Sequence, residues 1–130
     1  MTAIEAIKTE LEIVIAETGL AWTVAAVPPS GHAGPCAAIE GWRLRFATRS
    51  SLTEYPVLEV TVIVSGINES QAQMARRIMR KLADRQWTSD DLVVLSGQLS
   101  DFTIERDEGA RQERWIATGT IEYQVQEIEE

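Results

Sequence analysis

One histidine and one cysteine are the side chains of this sequence best suited to catalysis. His32 and Cys36 lie four residues apart, and an imidazole beside a thiol can take its proton and leave a nucleophilic thiolate. Both lie in or beside a segment rich in proline and glycine, 28–35, in which sequence spacing implies no fixed distance. Neither a helix start nor a carboxylate is placed to orient the pair. We therefore interpret Cys36 as a buried cysteine without a chemical role, and we predict no catalytic residues.

Four carboxylates in the last third of the chain could bind a hard cation, because Mg²⁺ and Ca²⁺ take oxygen ligands. They are Asp101, Glu105, Asp107 and Glu108. Their spacing differs from that of an EF-hand loop, and alternation along a strand would place some of them on opposite faces. A single cysteine and a single histidine are also too few for a zinc site within one subunit. We predict no metal and no cofactor, and interpret the carboxylates as a solvated hairpin tip.

Five cations lie within ten residues in the second half of the chain: Arg76, Arg77, Arg80, Lys81 and Arg85. Three interpretations stay open. They could contact phosphates, they could form the solvated face of an amphipathic helix, or they could meet the acidic surface of a neighbouring copy. Nucleic-acid sites commonly contain aromatic side chains among the cations, and no aromatic side chain is interleaved with these five. We single out this face as a candidate subunit interface.

Known catalytic motifs are missing from the sequence. It contains no P-loop, no dinucleotide-binding glycine run, no nucleophile elbow and no His-Glu metal-hydrolase motif. This favours a binding or structural protein over an enzyme. A small ligand-binding or enzymatic domain using His32 and Cys36 is the less favoured alternative.

Two helices are predicted from periodicity. Apolar residues recur at helical spacing over 2–17, where Thr2 and Glu5 have the spacing of a capping box and Gly19 can end the helix. A second helix is predicted from about 69 to 85, with Asn68 as N-cap. Its apolar side consists of Ala72, Ala75, Ile78, Met79, Leu82 and Ala83.

The remaining segments read as strands and their connections. Alternating or β-rich runs predict strands at 20–27, from 39 to about 46, at 58–65, at 92–95, at 99–106 and at 114–125. We predict a loop at 28–35, a connection at 49–56 and an extended hairpin tip at 107–113. Trp42, Leu44 and Phe46 share one face of their strand, and we expect both Trp42 and Trp115 in the core.

The order α-β-β-β-α-β-β, with short turns between sequential strands, predicts one α+β domain over 1–130. We expect two helices packed on one face of a largely antiparallel, possibly mixed, sheet of about five strands. At 130 residues and 14.4 kDa, the chain can bury a core without disulfide or metal.

Composition narrows the classes of partner. Asp and Glu exceed Lys and Arg by 20 to 12, for a formal net charge of −8, which disfavours tight sequence-independent binding to DNA. The apolar runs are too short for a transmembrane span, so we expect no membrane partner. The acidic first 20 residues do not resemble a leader. One cysteine allows no internal disulfide, which is typical of a reducing compartment, and we predict assembly in the cytoplasm.

The order of elements and the final third together resemble a known family. The features are an opening helix at 3–17, a strand pair around a Pro-rich loop at 20–46, and an alternating strand leading into a helix at 58–85. The ending reads SDFTIERDEG at 100–109 and RWIATGTIEY at 114–123. In these features the chain resembles the tail terminator proteins of long-tailed bacteriophages, also called tail completion or minor tail U-type proteins.

The resemblance implies a mechanical role in the virion at the tail–head junction. Such proteins form a ring, expected to be a hexamer, that caps the tail tube, stops its polymerisation and joins it to the head connector. The implied partners are other copies of the chain, the major tail tube protein and the connector or stopper protein, while DNA passes through the lumen without specific binding. A head-side neck or stopper subunit is the alternative.

Two irregular segments are candidate contacts with those partners, since loops can order on binding. The residues are Pro28, Pro29, His32 and Pro35 in the first segment and Asp107, Glu108, Gly109 and Arg111 in the second.

Overall fold

The computed structural model describes residues 1–25, 35–50, 53–106 and 114–128. These residues form two helices and five strands. In chain order they are α1 (Ala3–Glu17), β1 (Thr23–Ala25), β2 (Cys36–Ser50), β3 (Thr53–Ile67), α2 (Glu69–Asp84), β4 (Leu92–Arg106) and β5 (Trp115–Glu127). The predicted α+β fold and the predicted order of elements are confirmed. Neither described helix combines the length and apolar character needed to cross a membrane.

Both helices begin at capping boxes. The Glu5 backbone N–H donates to the Thr2 hydroxyl at 3.3 Å, and the Glu5 carboxylate accepts in return from the Thr2 backbone. At α2 the Gln71 N–H donates to the Asn68 side chain at 2.9 Å, and the Asn68 N–H donates to Gln71 at 3.0 Å. These bonds satisfy backbone donors that the first helical turn leaves unpaired, so the local sequence sets both starting points. Gly19, with φ of 76°, follows the end of α1.

The strands form one sheet in the order β1-β2-β3-β5-β4. The β1–β2 pair is parallel and the other three pairs are antiparallel. Both helices pack on one face of this sheet, α1 against β1 and β2 and α2 against β3, β4 and β5. The core between them includes the predicted apolar face of α2 and alternate residues of two central strands: Leu58, Val60, Val62, Val64, Ala117, Ile121, Tyr123 and Val125.

Strand lengths differ from the prediction. Residues 53–56 belong to β3, so the predicted connection at 49–56 was wrong. Pro56 pairs with Phe46 of β2, whereas pairing of β3 with β5 begins only at Val57. A proline is tolerated there because β3 has a strand neighbour on only one side, so no second ladder requires its missing N–H.

The edge strand β4 is also longer than expected. The two strands predicted at 92–95 and 99–106 are one strand, with register shifts between Val94 and Ser96 and between Leu99 and Asp101. Such β-bulges interrupt the alternation without ending the strand, and the broken alternation led to the division. At the other edge, the described part of β1 spans Thr23–Ala25, within the predicted strand at 20–27.

The predicted burial of Trp42 was wrong. Trp42 and Phe46 lie on the helix-bearing face of the sheet, because Trp42 pairs with the core residue Val60, yet they are 52% and 54% exposed. The helices leave this part of β2 uncovered. Trp115 is half-buried against the core. Alternation identified the face correctly, but it does not report what covers that face.

Candidate subunit interfaces

The outer side of α2 carries four exposed cations. Arg76, Arg77, Arg80 and Lys81 point away from the buried face of the helix. Within the described residues none of them forms an ion pair with a carboxylate of the same chain. The positive charge of these four side chains is therefore not compensated by an ion pair within the described residues. Such a surface can bind a negatively charged partner.

Arg85 lies apart from these four. It follows α2 in extended conformation, and its guanidinium donates to the Glu10 carboxylate and lies 3.5 Å from that of Glu17. The hydrogen bond to Glu10 is the main reason that the pKa of Arg85 is raised. Both carboxylates belong to α1, so Arg85 joins the two helices within one subunit. The sequence placed it with the other cations because nothing local reveals a partner so distant along the chain.

A groove runs between α2 and the edge strand β4. It has a volume of about 420 Å³ and is open to solvent on one side. Its walls are Gln73, Arg76 and Arg80 from the helix and Leu99, Ser100, Asp101, Phe102 and Ile104 from the strand. The lining combines three apolar residues, Leu99, Phe102 and Ile104, with polar ones that include two cations and the acidic residue Asp101. An aromatic ring can pack on the apolar side chains and stack on a guanidinium. Only the packing of α2 against β4 creates this groove, so sequence reasoning could not find it.

The sheet face opposite the helices carries an ion-pair cluster on β2, β3 and β5. Arg43 Nε lies 2.7 Å from one oxygen of Glu59, and Arg45 Nε lies 2.6 Å from the other. Arg45 also approaches Glu122 at 3.5 Å. The hydrogen bonds from Arg43 and then Arg45 lower the pKa of Glu59. Arg43 remains 71% exposed and can meet a further carboxylate.

Most of the predicted partner-contact residues lie outside the described part of the chain. These are Pro28, Pro29, His32, Asp107, Glu108, Gly109 and Arg111. Pro35 is described: it is half-buried, and its carbonyl accepts a hydrogen bond from the Thr23 N–H at 3.2 Å. It therefore leads into the β1–β2 pairing.

The surroundings of Cys36 disfavour the reactive thiolate form of its side chain. Its side chain is 1% exposed, and burial raises the pKa of the thiol. A reactive cysteine needs a lowered pKa and access to solvent.

No group of three or more potential metal ligands is found among the described residues. Of the four carboxylates considered in the sequence, Asp101 and Glu105 are described, and both are exposed on β4. Trp87 packs its ring edge-on to Tyr123, at 5.4 Å between centroids, and closes the core.

Comparison with known proteins finds a similarity of fold but no matching sequence family. No protein-family model matches the sequence. A search of the curated proteins finds no match either. Among solved structures, the fold is similar to that of a chain from the "Virion of native gene transfer agent (GTA) particle". The TM-score is 0.65 at 16% sequence identity, and the alignment covers 98% of this chain and 96% of that one. The likeness therefore extends over the whole fold.

Proposed function

We propose that this protein is a structural subunit of a phage-like virion and acts as its tail terminator. In this role, copies form a ring at the tail–head junction that caps the tail tube, stops its polymerisation and joins it to the head connector. The observation that carries the proposal is the match to a chain of a gene transfer agent virion over nearly the full length of both chains. The family resemblance of the sequence supports the more specific role.

The surfaces of the subunit support assembly into a ring. A ring needs head-to-tail contacts, in which one patch of a subunit meets a different patch of the next. The exposed cations of α2 provide one such patch, and the acidic excess of the chain provides complementary charge elsewhere. The net charge of −8 would also disfavour adhesion of DNA during its passage through a ring.

A null mutant of the particle tests the role. Loss of a terminator leaves tail tubes of uncontrolled length, because nothing stops polymerisation. Loss of a head-side neck or stopper subunit instead leaves tails of normal length beside DNA-filled heads. The first result in electron micrographs is the expected one. The second would replace the terminator with the neck subunit, and normal particles would refute both roles.

The ring is tested on the purified protein. Native mass spectrometry and light scattering should show a closed oligomer, expected to be a hexamer, at high protein concentration or with tube protein present. A strict monomer under both conditions, without capping of tubes, would refute the proposal.

A further inference from the structure

Two long edges of the sheet lack a strand neighbour within the described residues. The strand β4 pairs with β5 along its length, and among the described residues its other side meets only a single bridge, from Val93 to Thr88, near the start of the strand. At the other side, β1 pairs with β2 only over Cys36–Ala38, so the rest of β2 has β3 as its single neighbour. Such edges carry unpaired backbone N–H and C=O groups, which readily pair with another strand.

Each edge has a regular stretch free of bulges. Along β2 the register with β3 is continuous from Gly41 to Thr48, beyond the residues that β1 covers. Along β4 the register with β5 is continuous from Asp101 to Arg106. Bulges twist a strand away from further pairing, so these two stretches are the parts of the edges best suited to accept a new neighbour.

Strand direction makes the two edges compatible. Each step from β2 to β3, from β3 to β5 and from β5 to β4 is antiparallel, so β2 and β4 run in opposite directions. A second copy placed beside β4, with its helices on the same side, therefore presents β2 antiparallel to β4. The alternation of the sheet then continues from one copy into the next.

On the helix-bearing side, the exposed apolar residues of the two edges match. β2 presents Trp42 and Phe46, each more than half exposed. β4 presents Phe102 and Ile104 in the groove below α2. Exposed aromatic residues that pack against apolar side chains in a groove are typical anchors of protein interfaces. Arg76 and Arg80 at the rim can stack on an aromatic ring, which adds a cation–π attraction.

On the opposite side of the sheet, the charges of the two edges are complementary. Arg43 on β2 is largely exposed even while paired with Glu59. Glu105 on β4 is exposed and forms no ion pair with another described residue. Asp101 is likewise exposed and without an ion pair among the described residues, and it stands at the strand edge, where it also borders the groove. Both faces of the two edges thus fit each other, with apolar residues on one side and opposite charges on the other.

We infer that copies of this chain join head to tail, the β2 edge of one copy pairing with the β4 edge of the next and filling the groove between α2 and β4. This inference rests on the proposed ring and names its subunit contact. It extends the sheet across each junction, so that main-chain hydrogen bonds hold neighbouring subunits together.

Two variants, each damaging one edge, test the contact. Trp42→Lys with Phe46→Lys disables the β2 edge, and Asp101→Lys with Glu105→Lys disables the β4 edge. All four residues are exposed, so each variant should keep the fold, as checked by circular dichroism. Native mass spectrometry of the full chain should show monomers for each variant alone, with the assembly constant weakened by about tenfold or more.

Mixing the two variants gives the decisive result. The first variant retains its β4 edge and the second its β2 edge, so one intact contact forms and the expected product is a 1:1 dimer. A control with Ile13→Lys and Glu127→Lys adds lysines at exposed positions outside both edge stretches and should assemble like the unmodified chain.

The other outcomes separate the two proposals. If the unmodified chain and both variants all form rings, the edge contact is refuted while the ring stands. A mixture that stays monomeric also refutes the contact, because β2 and β4 then do not meet each other. If the unmodified chain never assembles, the proposed ring fails together with the contact. Should the lysine variant of β2 unfold, Trp42→Ser with Phe46→Ser tests the same edge.

Discussion

Gly97 lies on β4 against the end of α2. A Cβ atom at this position would overlap the carbonyl oxygen of Ala83 and lie only 2.6 Å from the ring of Tyr123. The neighbouring atoms are a helix backbone and a buried ring, which cannot move aside easily. A residue without a side chain is therefore required for α2 to dock on the sheet.

Substitution at this position should weaken the fold. We expect Gly97→Ala to lower the free energy of unfolding by about 1–3 kcal/mol, the usual cost of overpacking, as measured by urea denaturation. Gly41→Ala is the matched control, since a Cβ there meets nothing within 4 Å. Equal stability of the two variants would contradict the close packing described for Gly97.

Glu59 gives the fold a dependence on pH. Hydrogen bonds from Arg43 and Arg45 lower the pKa of this carboxyl in the folded state. Its contribution to stability is therefore present above the unfolded pKa of about 4.3 and is lost as the pH falls through the lower folded value. We expect Glu59→Gln to be less stable than the unmodified chain at pH 7, with the difference shrinking at pH 3.

Urea denaturation at a series of pH values measures this difference. Glu40→Gln is the control, because Glu40 is exposed and has no ion pair within the described residues. A constant difference for Glu59→Gln from pH 7 to pH 3 would show that its ion pairs contribute nothing to stability.

At the scale of the elements, β3 separates a covered face of the sheet from an uncovered one. Val62 is fully buried beneath the helices, whereas its neighbour Thr61 points to the opposite face and is half-exposed. We expect Val62→Asp to destabilise the protein by about 3 kcal/mol or more, because a buried carboxylate without a partner is costly. Thr61→Asp, one residue away, should cost far less.

Thermal unfolding followed by circular dichroism distinguishes the two variants. Comparable losses would mean that the face opposite the helices is also covered in the folded protein. A folded, soluble Val62→Asp variant with unchanged stability would contradict the assignment of the core.

At the scale of the whole molecule, the uncompensated cations of α2 should govern assembly and leave the fold unaffected. We expect the triple variant Arg76→Glu, Arg80→Glu and Lys81→Glu to be a folded monomer, because these side chains are exposed and two of them border the groove. Light scattering measures the oligomer and circular dichroism the fold.

The control for this variant adds negative charge at exposed positions elsewhere. Thr9→Glu, Gln86→Glu and Gln126→Glu lower the net charge by three, as the neutral variant Arg76→Gln, Arg80→Gln and Lys81→Gln does. If the effect is local and not a result of total charge, the first set should leave assembly unchanged and the second should weaken it. If the α2 variant assembles as well as the unmodified chain, the cationic face of α2 is only a solvated helix surface, which is one of the three interpretations that the sequence allowed.

The amino-acid sequence by itself determined both helices, their starting caps and the buried face of α2. It also determined which face of β3 and β5 meets the core. These features depend on periodicity and on hydrogen bonds between residues three apart, so they are readable from local sequence. The bulges of β4 were not predicted, because they interrupt the alternation that marks a strand. The exposure of Trp42 was not predicted either, because alternation identifies a face but not the element that covers it.

Only the tertiary structure decided which strands are edges, where the groove lies and which cations are free. Arg85 illustrates the reason: its carboxylate partners, Glu10 and Glu17, are on α1 and lie 75 and 68 residues before it in the sequence. Likewise, β4 becomes an edge because β5 inserts between β3 and β4 in the sheet order, and most of β2 is an edge because β1 covers only Cys36–Ala38. Strand order results from the competition of long-range pairings, each with its own loop-closure entropy and packing energy, and no local pattern encodes that outcome.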